Sequence, residues 1–361
     1  MTEAPIKQDA SAPKSTFGAL SAPDLEWLDK AVPETILFPD LPIVDPHHHL
    51  WDRPGYTYLL PEFAADLATG HNVVATVYAD CSSMYRASGP EAMKPVGETE
   101  FVLGQRAQSA SGQYGPTQVA AGMFGHADLR LGRAVREVLE AHVNVAEGFF
   151  KGVRLQANWD ASSAIRSGRT ASPGLLKDAA VREGMGVLAE MNLVFDCYAF
   201  FTQLDDVADA AEHFPGLTIV LNHCGGPLGY GPYVANKEEN YARWRRGMER
   251  IARYPNVVCK LNGVLNRSAA FDYLHAERPI DSTALADLWR QWIEPCIEAF
   301  GAERCMFESN YPVEKVGVSY AALWNAFKRL TQHASDDERT ALFSGTASRV
   351  YGLDLSPDKR V

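Results

Sequence analysis

The sequence predicts an α/β chain folded as a distorted (β/α)8 TIM barrel. Three observations lead there. Eight short apolar runs recur along the chain, amphipathic stretches separate most of them, and every run ends in polar side chains. Runs rich in Val, Ile, Leu, Phe and Tyr read as parallel strands buried on both faces. A chain of 361 residues accommodates one such barrel. The rival, an open doubly wound sheet, would favour a Gly-x-Gly-x-x-Gly turn after the first strand, and none is present.

The runs come in order. "LPIVDPH" opens the series and ends in Asp45, His47, His48 and His49. "NVVATVYAD" ends in Tyr78 and Asp80, "TQVAAGMFG" runs up to His126, and "FKGVRLQ" carries Arg154 and Gln156. "NLVFDCYAF" holds Asp196 and Tyr198, "LTIVLNH" ends in Asn222 and His223. "NVVCKLNG" holds Lys260 and Asn262, and "RCMFESN" closes with Glu308 and Asn310. Apolar residues at helical spacing predict helices over Leu131 to Val143, Gly174 to Met191, Leu204 to Phe214 and Tyr241 to Tyr254. Thr283 to Phe300, Ser319 to Thr331 and Asp336 to Phe343 continue the series. Pro215-Gly216 and Pro255-Asn256 stand where a helix stops and a strand begins. Three irregular segments, Ser82 to Glu98, Trp159 to Ser172 and Gly225 to Asn240, follow strands, which places them on the catalytic face of a barrel.

Composition narrows the function classes. Hydrophobic content of 46% with 22% charged residues suits a globular chain with a large core. A net charge of −11 argues against nucleic acid and anionic membrane surfaces as partners. No run of about 18 apolar residues predicts a membrane span. Residues 1–22 read as a disordered tail without the apolar centre of a signal peptide, and residues 23–361 as one domain. The six cysteines are scattered and mostly in apolar runs, as reduced thiols of a cytoplasmic protein would be. The aromatic-rich segment Tyr230 to Tyr241 suits a pocket mouth or an interface in a homo-oligomer.

Polar groups at every strand end exceed what packing needs, and a polar pocket accounts for them. His47 and His49 are two residues apart on an extended segment, so they share a side and His48 points away. Two imidazoles on one side suit a metal ion or an anionic substrate. His223 joins them as a catalytic candidate, with Gly225-Gly226 after it permitting close backbone approach. Arg154 and Lys260 interrupt apolar strands, so they either pair with Glu308 or Asp196 or hold a substrate carboxylate. Glu308 shares a face with Asn310 one layer deeper and reads as a structural ion pair. Tyr198, Tyr85 and His126 complete the expected substrate-binding set. His142, His213, His275 and His333 read as surface or packing residues.

These residues resemble the amidohydrolase superfamily, specifically the lactonase-like branch of amidohydrolase family 2. "VDPHHHLWD", "FKGVR", "VLNHCGGP", "VVCKLNG" and "MFESNYPVEK" carry the resemblance, collinear from about Leu41 to Leu353. "MYRASGPEAMKPVGETEFV" resembles a loop of one subgroup. The resemblance implies hydrolysis of a lactone or related ester of a carboxylate-bearing small molecule, in sugar-acid or aromatic catabolism. It also implies either no cofactor or one divalent metal such as zinc, held by His47, His49 and His223. Departures from the pattern bear on mechanism. Asn310 stands where relatives carry an aspartate, Leu155 where many carry histidine after "GVR", and Phe201 where many carry a loop histidine. An amide is a poor general base. In the hydrolytic reading His223 takes the proton of the attacking water. The alternative is a lyase, decarboxylase or isomerase acting on an aromatic or unsaturated acid in a pocket made more apolar by Leu155 and Phe201.

Overall fold

The computed structural model describes residues 21–146, 148–263 and 276–355. The expected tail, apart from Ser21 and Ala22, and His275 lie outside the described residues. Eight parallel strands follow one another around a single sheet. They are β1 (Ile43–His48), β4 (Val73–Ala79), β5 (Gln118–Gly125), β6 (Phe150–Gln156), β7 (Val194–Tyr198), β8 (Ile219–Leu221), β9 (Val257–Leu261) and β10 (Cys305–Phe307). A parallel bridge between His48 and Tyr311 joins the first strand to the end of the last. Asn310 N donates to His47 O at 2.9 Å and His49 N to Tyr311 O at 2.7 Å, so the ring closes at its histidine-bearing edge. This is the (β/α)8 barrel that the recurring apolar runs predict.

Between β1 and β4 the chain forms a small hairpin, β2 (Trp51–Arg53) and β3 (Tyr56–Tyr58), and then the helix α2 (Leu60–Leu67). The outer ring contains α3 (Val96–Ala110), α4 (Val135–Ala146), α5 (Ala179–Glu190), α6 (Leu204–His213), α7 (Lys237–Ile251), α8 (Ser282–Phe300) and α9 (Tyr320–Leu330). Hydrophobic periodicity anticipates most of these, but not α2 or α3. Among the described residues no helix is long and apolar enough to cross a membrane.

Period-two alternation sorts each strand into an outer and an inner face. Residues facing the helices build one large core, with Ile43, Val153, Leu155, Phe195, Ile219 and Phe307 among its members. The inner faces build a second, smaller core from Val44, Ala75, Val77, Phe124, Val194, Val220, Val258 and Met306, which Tyr351 of the terminal helix (Thr346–Tyr351) joins. Two residues further along four of these strands the inner face turns polar: Asp196 follows Val194, Asn222 follows Val220, Lys260 follows Val258, and Glu308 follows Met306. An apolar floor thus carries a charged layer, and the active-site candidates stand on that layer.

Candidate active site

His47 and His223 converge on Glu308. Glu308 Oε1 lies 2.6 Å from His223 Nδ1 and Oε2 lies 2.9 Å from His47 Nδ1. All three side chains are buried. The His47 ring centroid is 4.9 Å from those of both His49 and His223. The structure therefore brings the three sequence-identified histidines together, and adds a carboxylate.

Local backbone explains how they meet. A register irregularity between Asp45 and His48 turns His47 inward while His48 faces outward. His48 bonds Thr76 Oγ1 at 2.9 Å and stacks on Phe63, a packing role that burial reinforces by lowering its pKa to about 3. Asp45 steadies the strand end by accepting from Ser309 N at 2.9 Å and Tyr320 Oη at 3.1 Å. Burial pushes its carboxyl up to about 6 against those bonds. His223 sits at positive φ, and Gly263 gives it room: a Cβ there would stand 2.3 Å from His223 Nδ1. The need for glycine at that place is a site requirement that the sequence reading missed.

Donor atoms of His47, His223 and Glu308 all lie within 4.8 Å of one another, the spacing of a metal-ligand set. Of the expected set of His47, His49 and His223, the cluster with this spacing contains His47 and His223, joined by Glu308. His49 Nδ1 is engaged by the Ala79 carbonyl at 2.8 Å. Glu308, expected as a structural ion pair, bonds to the His223 imidazole rather than to Arg154 or Lys260. His47 Nε2 is buried with no hydrogen-bond partner, an atom that a metal would satisfy. Two imidazoles and one carboxylate are ligand types that a catalytic zinc site uses. Burial, then the charge of Lys260, holds His47 well below its usual pKa, which keeps it neutral. Burial pushes Glu308 up to about 8, opposed by Lys260, and a divalent cation would favour its ionised form.

Lys260 is buried inside the barrel. Its Nζ donates to Asp196 Oδ2 at 2.7 Å, lies 3.3 Å from His47 Nδ1, and sits over the Phe124 ring at 4.7 Å. Of the two readings offered for Lys260, pairing with Asp196 is the one the inner-face layering favours. Arg154 stands higher. Its Nη1 donates to Asp80 O at 2.7 Å and its Nε is 3.4 Å from Asn222 Oδ1 and 3.7 Å from Asp196 Oδ1. Tyr198 packs edge-on to His223 with centroids 5.0 Å apart. Tyr85 and His126 lie at the rim, stacked at 6.5 Å.

Asn310 is a further catalytic candidate from its place at the end of the last run. Its Nδ2 donates to Glu314 Oε1 at 3.1 Å. A positive φ at Asn310 accompanies that placement, so the amide braces the loop after β10. Leu155 shares the outward face of Val153 and belongs to the outer core. Phe201 packs against Tyr233 at 5.2 Å and lines a cavity of about 160 Å³ with Leu228, Trp244 and Trp292. Neither residue makes the histidine site apolar. The cavity's wall includes Tyr233 and Tyr241, so the aromatic segment lines a pocket.

Comparison with known proteins agrees with this architecture. The family described as Amidohydrolase matches residues 44–353. The protein y4mH of Sinorhizobium fredii is 30% identical over 334 residues, covering 86% of this chain and 99% of that protein. An L-fucono-1,5-lactonase of Burkholderia multivorans is 31% identical over 188 residues, 51% of this chain and 60% of that enzyme. An amidohydrolase crystal structure from Burkholderia multivorans with bound zinc superposes with a TM-score of 0.66 at 25% identity, covering 86% of this chain and 99% of that one. The family match runs from the first barrel strand past the terminal helix, and the chain belongs to the amidohydrolase family.

Proposed function

We propose that this protein hydrolyses a lactone, or a related ester, of a carboxylate-bearing small molecule. The observation that carries the reading is the convergence of His47, His223 and Glu308 within 4.8 Å at the mouth of the barrel, with Arg154 beside them. Similarity to an L-fucono-1,5-lactonase supports it.

His47, His223 and Glu308 would hold a divalent ion such as zinc. When bound, such an ion polarises a carbonyl oxygen and makes a water acidic near neutral pH. The chain's own residues supply the rest. In this structure Glu308 Oε1 holds the His223 ring through Nδ1, and Lys260 Nζ stands 3.3 Å from His47 Nδ1. His49 has its Nδ1 held by a carbonyl, which can only accept, so Nδ1 carries the hydrogen and Nε2 carries the lone pair. With Asn310 turned to Glu314, His49 is the group left to take the proton of the attacking water. His223, the base in the sequence reading, moves to the ligand set through its contact with Glu308. Arg154, anchored on Asp80 O, offers its remaining N–H groups to the substrate carboxylate. Tyr198 packs against the His223 ring and limits its motion.

Lyase or isomerase chemistry loses the support that Leu155 lent it, because that side chain packs into the outer core, and Phe201 packs on Tyr233 along the aromatic-lined cavity. The test is a panel of sugar-acid and dicarboxylate lactones, with acid release followed at neutral pH in isotopically labelled water. One solvent oxygen should enter each product molecule. Turnover of unsaturated acids without solvent oxygen would replace this reading with the non-hydrolytic one.

A further inference from the structure

Three arginines from three segments grip three successive residues of the loop after β4. Arg154 donates to the Asp80 carbonyl at 2.7 Å, Arg53 to the Cys81 carbonyl at 3.0 Å, and Arg169 to Ser82 Oγ. Arg154 comes from β6, Arg53 from the hairpin strand β2, and Arg169 from the irregular loop after β6. Arg169 also lies over the Tyr85 ring at 5.6 Å, and Tyr85 Oη donates to Asp80 Oδ1 at 3.2 Å. Arg53 is seated on Trp51 at 4.3 Å. The grip is built, because each guanidinium is held in place by an aromatic face or a buried acceptor.

These cations exceed their counter-charges. Asp80, Asp196 and Glu308 are the carboxylates they face, and Asp196 is already paired with Lys260 at 2.7 Å. Glu98 Oε1 accepts from Tyr78 Oη, Cys81 N and Ser83 N, and burial beside Asp80 pushes its carboxyl well up. Of the three arginines, Arg169 is the exposed one and Arg154 the buried one. A ligand entering the mouth therefore meets Arg169 at the rim and Arg154 beneath it, Arg154 already using Nη1 on Asp80 O and Nε on Asn222 Oδ1. A planar carboxylate is the anion that such forks suit.

We infer that Arg169 is a specificity-determining residue that selects substrates carrying a carboxylate, acting with Arg154 across the loop of Asp80, Cys81 and Ser82. The inference rests on the lactonase reading for the place where substrate sits. It departs from the sequence reading, which gave the carboxylate to Arg154 or Lys260.

The test separates the two claims by measuring binding without turnover. The full-length protein is titrated calorimetrically with glutarate and with glutaramide, which has the same carbon chain and no charge. Glutarate should bind at least tenfold more tightly than glutaramide. Arg169→Met should remove at least a factor of ten from glutarate affinity, and Arg169→Lys should restore part of it at an unchanged melting temperature. Equal binding of diacid and diamide, or glutarate affinity indifferent to both substitutions, would overturn the inference. If Arg169→Met does not fold, the diacid and diamide comparison and the lysine variant still decide. Selective glutarate binding without opening of any lactone would sink the lactonase reading alone. Lactone opening without selective glutarate binding would sink the Arg169 assignment alone.

Discussion

Glu308 Oε1 stands 2.6 Å from His223 Nδ1, joining the end of the last barrel strand to the turn after β8. Its other oxygen stands 2.9 Å from His47 Nδ1. One carboxylate thus bonds His223, lies against His47, and supplies the only negative charge in the donor set. Glu308→Gln keeps the shape and removes that charge. We expect zinc affinity of the chelated protein to fall at least tenfold and lactone turnover to fall by about 10² or more. Elemental analysis after chelation and reconstitution measures the first, steady-state kinetics the second. Unchanged zinc uptake would remove Glu308 from the donor set.

The barrel was legible from sequence because its inner and outer faces both need apolar residues, so each strand appears as an apolar run. The histidine cluster was legible because its members end those runs. Glu308 was legible as an inward residue but not as the partner of His223, since the two are 85 residues apart and meet only when the ring closes. The helix α3 escaped because the face it buries includes Glu98, Thr99, Gln105 and Ser109, which leaves periodicity little to detect. The burial of Glu98 was hidden for the same reason. Arg53 and Arg169 lie in a hairpin and an irregular loop, where no period predicts which way a side chain turns.

Lys260 and Asp196 form a fully buried ion pair at the floor of the site. Removing one partner leaves the other charge in a low-dielectric layer, a loss of about 3–5 kcal/mol. Lys260→Met should lower unfolding free energy by that amount, measured by urea denaturation. Adding Asp196→Asn should recover part of the loss, because it removes the stranded charge. A single variant as stable as the parent would show that Arg154, 3.7 Å from Asp196, compensates fully.

Glu98 braces the loop that carries Tyr85 by accepting three hydrogen bonds on one oxygen. If Glu98 is the protonated member of its pair with Asp80, a neutral amide can replace it, accepting on Oε1 and donating to Asp80. Glu98→Gln should therefore keep stability within about 1 kcal/mol, whereas Glu98→Ala should cost about 2–4 kcal/mol by leaving buried donors unmatched. Denaturant midpoints of the two variants check this. Equal damage from both would mean that Glu98 acts as an ionised carboxylate.

His142 links folding to acid. Its ring lies flat on Phe150, 4.7 Å away, with Nδ1 2.7 Å from Thr99 Oγ1 and Nε2 3.1 Å from the His126 carbonyl. Burial lowers its pKa from 6.5 to about 4, opposed by the His126 carbonyl. Between those values the unfolded chain takes up a proton that the folded chain refuses. Stability from this group is therefore complete above pH 6.5, falls as the pH drops toward 4, and is lost below it. At about 1.4 kcal/mol per unit, the loss at pH 5 relative to pH 7 is about 2 kcal/mol. His142→Gln should be less stable at pH 7 yet lose about 2 kcal/mol less than the parent between pH 7 and pH 5. His48 and His71, lowered to about 3 and about 4 by burial, add acid sensitivity of the same sign in both proteins. Urea denaturation at the two pH values measures the difference, and parallel losses in parent and variant would show that His142 is not a linked group.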